Sequence, residues 1–263
     1  MEFTVQEKKV FAAVNRSGFD SARRSLVFVH GSGMDHTVWV LPRRHFDRHG
    51  YNVLAPDLPG HGRSGGPVLA SVEAMADWLV ETIDQLGLQE VTLIGHSLGS
   101  LVTLQAASFS GPWLRSLVLI GCTTPLPVTD ILLNAAKDDP DVAFSMINTW
   151  GHSKSAQLGG NETPGMWMLG SGYRLLQRSG PDVLYTDLNA CNAYQAGSEN
   201  AASIAVPVLL IQGRQDIMTP VRASAELQQR LSRPRVVTLE DCGHAIMAEQ
   251  PERLLDCLID FIM

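Results

Sequence analysis

The sequence has few cysteines, no long hydrophobic run and no export signal, and each absence excludes a class of protein. The four cysteines, Cys122, Cys191, Cys242 and Cys257, are spaced neither like a zinc site nor like a Cys-x-x-Cys redox pair. No stretch approaches the roughly 20 consecutive apolar residues of a membrane-spanning helix, and the first residues lack the basic start of a signal peptide. We therefore expect a cytoplasmic protein with reduced cysteines, no metal and no membrane partner.

Positive charge is also scarce. Lysine and arginine number 20 against 27 acidic residues, which gives a net charge of −7. This balance argues against nucleic acid as a partner. With 263 residues, 45% of them hydrophobic and 18% charged, the chain is long enough to bury a substantial core in one large domain.

Short apolar runs alternate with segments of helical periodicity along much of the chain. Two short strands are predicted within residues 3–15, and further strands at residues 25–29, 52–55, 91–94, 116–120, 208–211 and 236–239. Helices are predicted at residues 37–49, 71–86, 98–109 and from Pro251 onward. This alternation favours an α/β fold with a mostly parallel sheet covered by helices on both sides.

A candidate nucleophile, Ser97, follows one of the predicted strands. It is the centre of the pentapeptide Gly95-His96-Ser97-Leu98-Gly99. Small residues on both sides allow the strained strand-to-helix turn that exposes a serine hydroxyl at the edge of a sheet. An ordinary glycine-flanked turn is the alternative, but the strand before and the helix after favour a nucleophile.

A nucleophilic serine needs a base, and the base needs an orienting acid. Asp216 and His244 follow the last two predicted strands, so the order along the chain is Ser, Asp, His. The carboxyl ends of parallel strands lie at one edge of a sheet, where the active-site crevice forms. Alone, Asp216 could be a helix-capping carboxylate and His244 a solvated turn residue. Their joint position at strand ends favours a catalytic triad.

Attack on an ester carbonyl places negative charge on oxygen, which preorganised N–H donors must stabilise. The turn His30-Gly31-Ser32-Gly33 follows a predicted strand and is rich in glycine. We assign the two donors of this oxyanion hole to the backbone N–H groups of Ser32 and Leu98. A plain strand-end turn is compatible with the same residues.

Taken together, these motifs resemble the α/β-hydrolases of the esterase, haloperoxidase and C–C hydrolase branch. The resemblance extends from about Leu26 to the end of the chain. It rests on His30–Gly33 with Trp39 downstream, Asp57-Leu58-Pro59-Gly60-His61-Gly62-Arg63-Ser64, Gly95–Gly99, Gly213–Asp216 and Gly243-His244.

The resemblance assigns roles to two further regions. Residues 57–64 become a structural loop in which Asp57 and His61 brace the backbone rather than bind a ligand. The family sometimes places its acid one strand earlier, but residues 122–124 hold no carboxylate, so Asp216 is the only candidate.

The strand–helix rhythm breaks between residues 123 and 203, where helical pieces are predicted at residues 130–136, 141–150 and 165–178. By resemblance this segment is a helical cap, and residues 1–122 and 204–263 form the hydrolase core. A cap shields the chemistry and shapes the substrate pocket. Its large side chains either pack the cap against the core or line an adaptable apolar pocket; the pocket candidates are Met146, Trp150, Met166, Trp167 and Met168.

The expected function is a serine hydrolase that cleaves a small, largely apolar carboxylic ester through an acyl-enzyme, without a cofactor. Lactonase, thioesterase, C–C hydrolase and perhydrolase activities use the same triad. The short Gly-Ser-Gly turn makes C–C hydrolysis less favoured, since those enzymes usually show a longer Gly/Pro-rich loop. A small-molecule receptor with a vestigial triad is the non-enzymatic alternative. The oligomeric state stays open.

Overall fold

A single eight-stranded sheet forms the centre of the protein. The computed structural model describes residues 1–16, 18–20, 22–109, 111–160 and 166–263. The strand order is β1-β2-β4-β3-β5-β6-β7-β8; β2 pairs antiparallel with both β1 and β4, and the remaining neighbours pair parallel. The strands are β1 Glu2–Val5, β2 Lys8–Val14, β3 Ser25–Val29, β4 Asn52–Pro56, β5 Val91–His96, β6 Leu114–Ile120, β7 Val208–Gly213 and β8 Arg235–Leu239. The predicted α/β fold with a mostly parallel sheet is confirmed.

Helices cover both faces of the sheet. Val27 and Val29 of β3 pack in one hydrophobic cluster with the helices α2 and α3. Leu26 and Phe28 point to the other face and pack in a cluster with α1 and the last helix, α12. Side chains alternate between the faces of a strand, so a run that is buried on both sides reads as continuously apolar. The core helices are α1 Val40–Arg48, α2 Val72–Gln85, α3 Leu98–Ser108, α10 Ala225–Arg230, α11 Ile246–Glu249 and α12 Pro251–Ile262.

The bounds of the core helices follow signals in the sequence. The Ser71 hydroxyl accepts a hydrogen bond from Ala74 N and caps α2, and Gly87 follows the end of that helix with φ 62°. Pro251 is the first residue of α12, where its missing N–H costs nothing. The predicted helix at residues 37–49 begins instead as a 3₁₀ turn at His36–Trp39, which the Asp35 carboxylate caps.

Between β6 and β7 the chain forms six helices in the described residues. They are α4 Asp130–Asp138, α5 Pro140–Gly151, α6 Lys154–Gln157, α7 Met168–Gln177, α8 Val183–Ala193 and α9 Gly197–Ser203. Helices α4, α5 and α7 correspond to the three predicted pieces, although Gly165, the predicted start of the third, lies outside the described residues. Helices α4, α5, α7 and α8 share a small hydrophobic cluster of their own around Leu132, Phe144 and Leu188. No helix in the described ranges is both long and apolar enough to cross a membrane.

Candidate active site

Ser97 lies on a strained turn that its two glycine neighbours make possible. Its backbone has φ 54° and ψ −119°, and it separates β5 from α3. A Cβ atom at Gly95 would lie 2.2 Å from Gly99 O, and one at Gly99 would lie 2.3 Å from Val29 O. Neither position admits a side chain without a backbone shift, so the Gly-x-Ser-x-Gly spacing is a steric requirement of this fold.

Asp216 and His244 form a buried hydrogen-bonded pair beside this turn. His244 Nδ1 lies 2.7 Å from Asp216 Oδ2. Asp216 follows β7 and His244 follows β8, as their positions in the sequence predict. The exposed fraction is 3% for Asp216 and 5% for His244, so water screens the pair weakly.

Asp216 accepts three further hydrogen bonds. Its Oδ1 accepts from Met218 N and Thr219 N, both at 2.8 Å, and its Oδ2 accepts from the Thr219 hydroxyl at 2.6 Å. Burial raises the pKa of Asp216, but the His244 imidazole and the hydrogen bonds outweigh it and lower that pKa to about 2. Asp216 is therefore a carboxylate at neutral pH and favours the His244 tautomer with a proton on Nδ1. Sequence reasoning missed Thr219.

His96 packs against the His244 ring and donates a hydrogen bond to the His244 backbone. Its Nε2 donates to the His244 carbonyl oxygen at 2.9 Å, and the two ring centroids are 4.8 Å apart. Burial is the main cause that lowers the pKa of His96 to about 3, so the ring is neutral. Gly121 provides space on the other side, because a Cβ there would lie 3.0 Å from His244 Cε1. The motif position was visible in the sequence, but these contacts were not.

Among the described residues, the two proposed oxyanion donors have no hydrogen-bond acceptor. Leu98 is the first residue of α3, and the first N–H groups of a helix have no partner inside it. Gly33 N donates to Asp187 Oδ2 at 2.8 Å and Met34 N donates to Gly31 O at 3.2 Å. Within the described ranges, Ser32 N donates no hydrogen bond.

Asp187 of α8 ties the region between β6 and β7 to this loop. The same Oδ2 lies 2.8 Å from His61 Nε2, and both side chains are fully buried. Burial alone would lower the pKa of His61, but the charge and hydrogen bond of Asp187 outweigh it and raise that pKa. The predicted bracing role of His61 therefore extends to a residue that sequence reasoning did not single out.

The 57–64 loop is braced as expected. Asp57 Oδ1 accepts from His36 N at 2.7 Å and lies 2.8 Å from His36 Nδ1, while Asp57 Oδ2 accepts from Arg63 N at 2.9 Å. Together with Asp35, His36 and Asp57 form a group whose ligand-type atoms lie within 4.8 Å of one another. Asp35 is engaged by Arg178 and Thr37, so every member of this group already has a partner within the protein.

Ser97 and His244 line one cavity, which we call the reaction chamber. Its volume is about 320 Å³, and Trp150 is the one predicted pocket residue among its walls. Its walls also contain residues that the sequence did not point to, among them Leu126, Pro127, Val128, Leu132, Leu188 and Cys191.

A second cavity of about 520 Å³ adjoins it, and we call this the side chamber. Met34, Ile147, Met218 and His244 line both cavities. Met166 and Met168 lie in the wall of the side chamber.

Two predicted pocket residues lie outside both chambers. Met146 packs against the hydrophobic cluster that α4, α5, α7 and α8 share. Trp167 has 77% of its surface exposed. Their size and apolar character made them pocket candidates, and sequence alone does not show which face of a helix turns inward.

The cysteines offer no competing nucleophile. Cys122, Cys191 and Cys242 are buried and Cys257 is half-buried, all as free thiols. Burial is the main cause that raises the pKa of all four thiols. A thiol that stays protonated is a weak nucleophile.

The chain is similar in sequence to several known hydrolases. The chain is 31% identical over 254 residues to a pimeloyl-[acyl-carrier protein] methyl ester esterase of Aromatoleum aromaticum, covering 90% of this chain and 96% of that protein. It is 26% identical over 242 residues to an (E)-2-((N-methylformamido)methylene)succinate hydrolase of Acinetobacter baylyi, covering 87% and 86%.

The fold is shared with the enol-lactonase of Burkholderia xenovorans. That structure superposes with a TM-score of 0.86 at 18% identity, covering 100% of this chain and 99% of that one. The sequence profile of the alpha/beta hydrolase family matches residues 26–256. The chain therefore belongs to the alpha/beta hydrolase family.

Proposed function

We propose that the protein is a serine hydrolase that cleaves small, largely apolar carboxylic esters through an acyl-enzyme. The observation that carries this proposal is that His244, hydrogen-bonded to Asp216, lines the same apolar chamber as Ser97 on its strained turn. Ester hydrolysis is also the activity named for one of the relatives described above.

In the first half of the reaction, His244 Nε2 takes the hydroxyl proton of Ser97 as Oγ attacks the ester carbonyl. The N–H groups of Ser32 and Leu98 stabilise the negative charge that forms on the carbonyl oxygen. Asp216 keeps the imidazole in its tautomer and stabilises the imidazolium. His244 then returns the proton to the leaving alkoxide oxygen, which releases the alcohol and leaves the acyl group on Ser97.

In the second half, water attacks the acyl carbon while His244 accepts a water proton. The second tetrahedral intermediate collapses, the carboxylic acid leaves, and Ser97 recovers its hydroxyl proton from His244. In both halves of the reaction, all proton transfers run through the imidazole of His244.

A fluorophosphonate probe together with a substrate panel tests this proposal. The panel contains nitrophenyl esters of different acyl length, lactones, thioesters and a vinylogous 1,5-diketone for C–C hydrolysis. We expect covalent labelling of Ser97, loss of turnover on labelling, and many product molecules per protein on the esters. Ser108 of α3, outside both chambers, is the matched control, and Ser108→Ala should be labelled as fast as the wild type.

Two outcomes would overturn it. Release of about one product per protein, followed by arrest, would favour the receptor alternative. Labelling at a residue other than Ser97, with Ser97→Ala still active, would remove the proposed nucleophile.

A further inference from the structure

The side chamber adjoins the reaction chamber on the side of the base. His244 lines both cavities, whereas Ser97 and Ser32 line the reaction chamber only. A general acid must reach the leaving oxygen of an ester, so the alcohol part of the substrate lies against the imidazole. The acyl part lies by the oxyanion donors. The walls therefore direct the acyl group into the smaller cavity and the alcohol into the larger one.

One wall of the side chamber contains a buried imidazole with a ring nitrogen that has no hydrogen-bond partner in the described residues. His152, which follows α5, is 7% exposed and lines the side chamber. Its Nδ1 lies 2.8 Å from Asn148 O, and a carbonyl oxygen can only accept, so Nδ1 carries the proton. In that tautomer Nε2 is an acceptor, and it is buried without a partner in the described residues.

A second acceptor lies next to it. Asn148 Nδ2 donates to Phe144 O at 3.0 Å, and no residue in the described ranges donates to its Oδ1. Gly172 of α7 makes space for this oxygen, because a Cβ there would lie 2.2 Å from Asn148 Oδ1. Asn148 and Gly172 both line the side chamber.

The two arginines among the described lining residues of the side chamber, Arg174 and Arg178, are exposed. Arg178 pairs with Asp35, and Arg174 donates to Gln177 Oε1. The inner wall thus presents acceptors surrounded by methionine and leucine side chains, and a buried acceptor without a donor is costly. This chemistry suits a ligand group that donates a hydrogen bond and does not suit a carboxylate.

We propose that the side chamber binds the alcohol part of the ester, and that this part is apolar and carries a hydroxyl or N–H group that donates to His152 Nε2. The assignment of the two chambers to the acyl and alcohol parts of a substrate rests on the proposed ester hydrolysis. The binding of a donor-bearing apolar group at His152 does not depend on turnover.

Flexible substrates test the contact even when the best position of the hydroxyl group along the alkyl chain of the substrate is not known. Monoacetates of α,ω-alkanediols with about four to eight carbons are compared with n-alkyl acetates of equal length. Because a hydrogen bond to an otherwise unsatisfied buried acceptor contributes about tenfold in affinity, kcat/KM for the best diol ester should exceed that of its alkyl partner by about that factor. His152→Leu should abolish the preference, and His152→Gln, which keeps an acceptor oxygen, should restore part of it.

The matched control is His49→Leu. His49 also lies 2.7 Å through Nδ1 from the carbonyl oxygen four residues earlier, that of His45, but it is exposed and lies in neither chamber. His49→Leu should keep the wild-type preference for the diol esters. Thermal melting of each variant shows that the fold is intact.

A second readout separates this proposal from the proposed function. The free diols and the n-alkanols are titrated onto wild-type, His152→Leu and His49→Leu protein, with binding followed by ligand-observed NMR. A preference for diols that depends on His152, without ester turnover, would retain the site and overturn the esterase proposal. Ester turnover without a diol preference in rate or binding, or a preference that survives in His152→Leu, would overturn the site.

Discussion

The two sides of the reaction chamber are held in place by different means. On the core side, Ser97 and His244 lie on turns after β5 and β8, where glycines leave no space for another residue. On the other side, α5 and α8 contribute Trp150 and Leu188 to the wall and are held largely by side-chain packing, with Asp187 of α8 adding buried contacts to Gly33 N and His61 Nε2. Backbone constraints fix positions more narrowly than side-chain packing does. Under the proposed function, the core side carries the reaction and the helices between β6 and β7 select the substrate.

The largest effects should come from the proposed triad. Ser97→Ala should lower kcat by about ten-thousand-fold, and Ser97→Ala/His244→Ala should be scarcely slower than either single variant, because the residues act as one unit. Steady-state kinetics on a nitrophenyl ester measures this. Additive losses would mean that the two side chains act separately.

Alanine substitutions at two glycines, Gly121 beside His244 and Gly87 in open space, test how narrowly the position of His244 is fixed. Gly121 and Gly87 have similar φ values of 56° and 62°, so an alanine at either site should destabilise the fold by roughly 1–2 kcal/mol. Only at Gly121 would the new Cβ meet the His244 ring, since nothing lies within 4 Å of a Cβ at Gly87. Gly121→Ala should therefore lower kcat about 10- to 100-fold through a displaced imidazole.

Gly87→Ala is the control, and it should leave kcat near the wild-type value. Denaturant unfolding and ester kinetics on both variants make the comparison. Equal kcat in the two variants would show that the narrow fit around His244 does not matter for the reaction.

The buried Asp187–His61 pair should have an intermediate effect. Asp187→Asn removes the charge that faces His61 and weakens the anchor on Gly33 N, so we expect about a tenfold loss in kcat with little change in KM. Gln195, an exposed residue after α8, offers the control Gln195→Ala. A loss confined to KM would assign Asp187 to substrate binding instead.

The same pair predicts a pH-dependent stability. The pKa of His61 in the folded protein is raised above its ordinary value of 6.5. The pair therefore stabilises the folded state fully below pH 6.5, where His61 is protonated in both states. This contribution is lost as the pH rises through the pKa of the folded protein. The difference in unfolding free energy between wild type and Asp187→Asn should thus be larger at about pH 6 than at about pH 9. A difference that grows with pH would contradict a charged pair.

The smallest effects should come from the walls of the side chamber. Met168→Ala enlarges that chamber, so kcat/KM should shift in favour of esters with a larger alcohol part. The transition-state free energy that separates two alcohols should change by at most about 1–3 kcal/mol, and the acyl preference should be retained. Trp167→Ala, an exposed neighbour, should change neither preference. A shifted acyl-length profile in Met168→Ala would mean that the two chambers are not assigned as the geometry indicates.

The core could be predicted from sequence because its signals are local. Buried strands read as short apolar runs, and Ser97, Asp216 and His244 each follow such a run. Topology then brings strand ends to one edge, so linear order was sufficient to predict proximity of Asp216 and His244.

The helices between β6 and β7 were harder to predict for a physical reason. Helix α8 buries Leu184 and Leu188 in one cluster and Ala190 and Cys191 in another, so it lacks the one-sided apolar pattern that identifies a surface helix. Asp187 lies on the same helix as a fully buried charge, which composition cannot distinguish from a solvated one. His152 gave no signal either, because its meaning depends on a cavity formed by distant segments.

Direct observation of an acyl-enzyme tests the central claim most closely. The protein is mixed with excess nitrophenyl butyrate, quenched in acid during steady-state turnover, digested and analysed by mass spectrometry. We predict a butyryl group on the peptide that contains Ser97, absent in Ser97→Ala and present in the Ser108→Ala control. Turnover without any acylated peptide, or with the acyl group on Cys242 or another residue, would contradict the account.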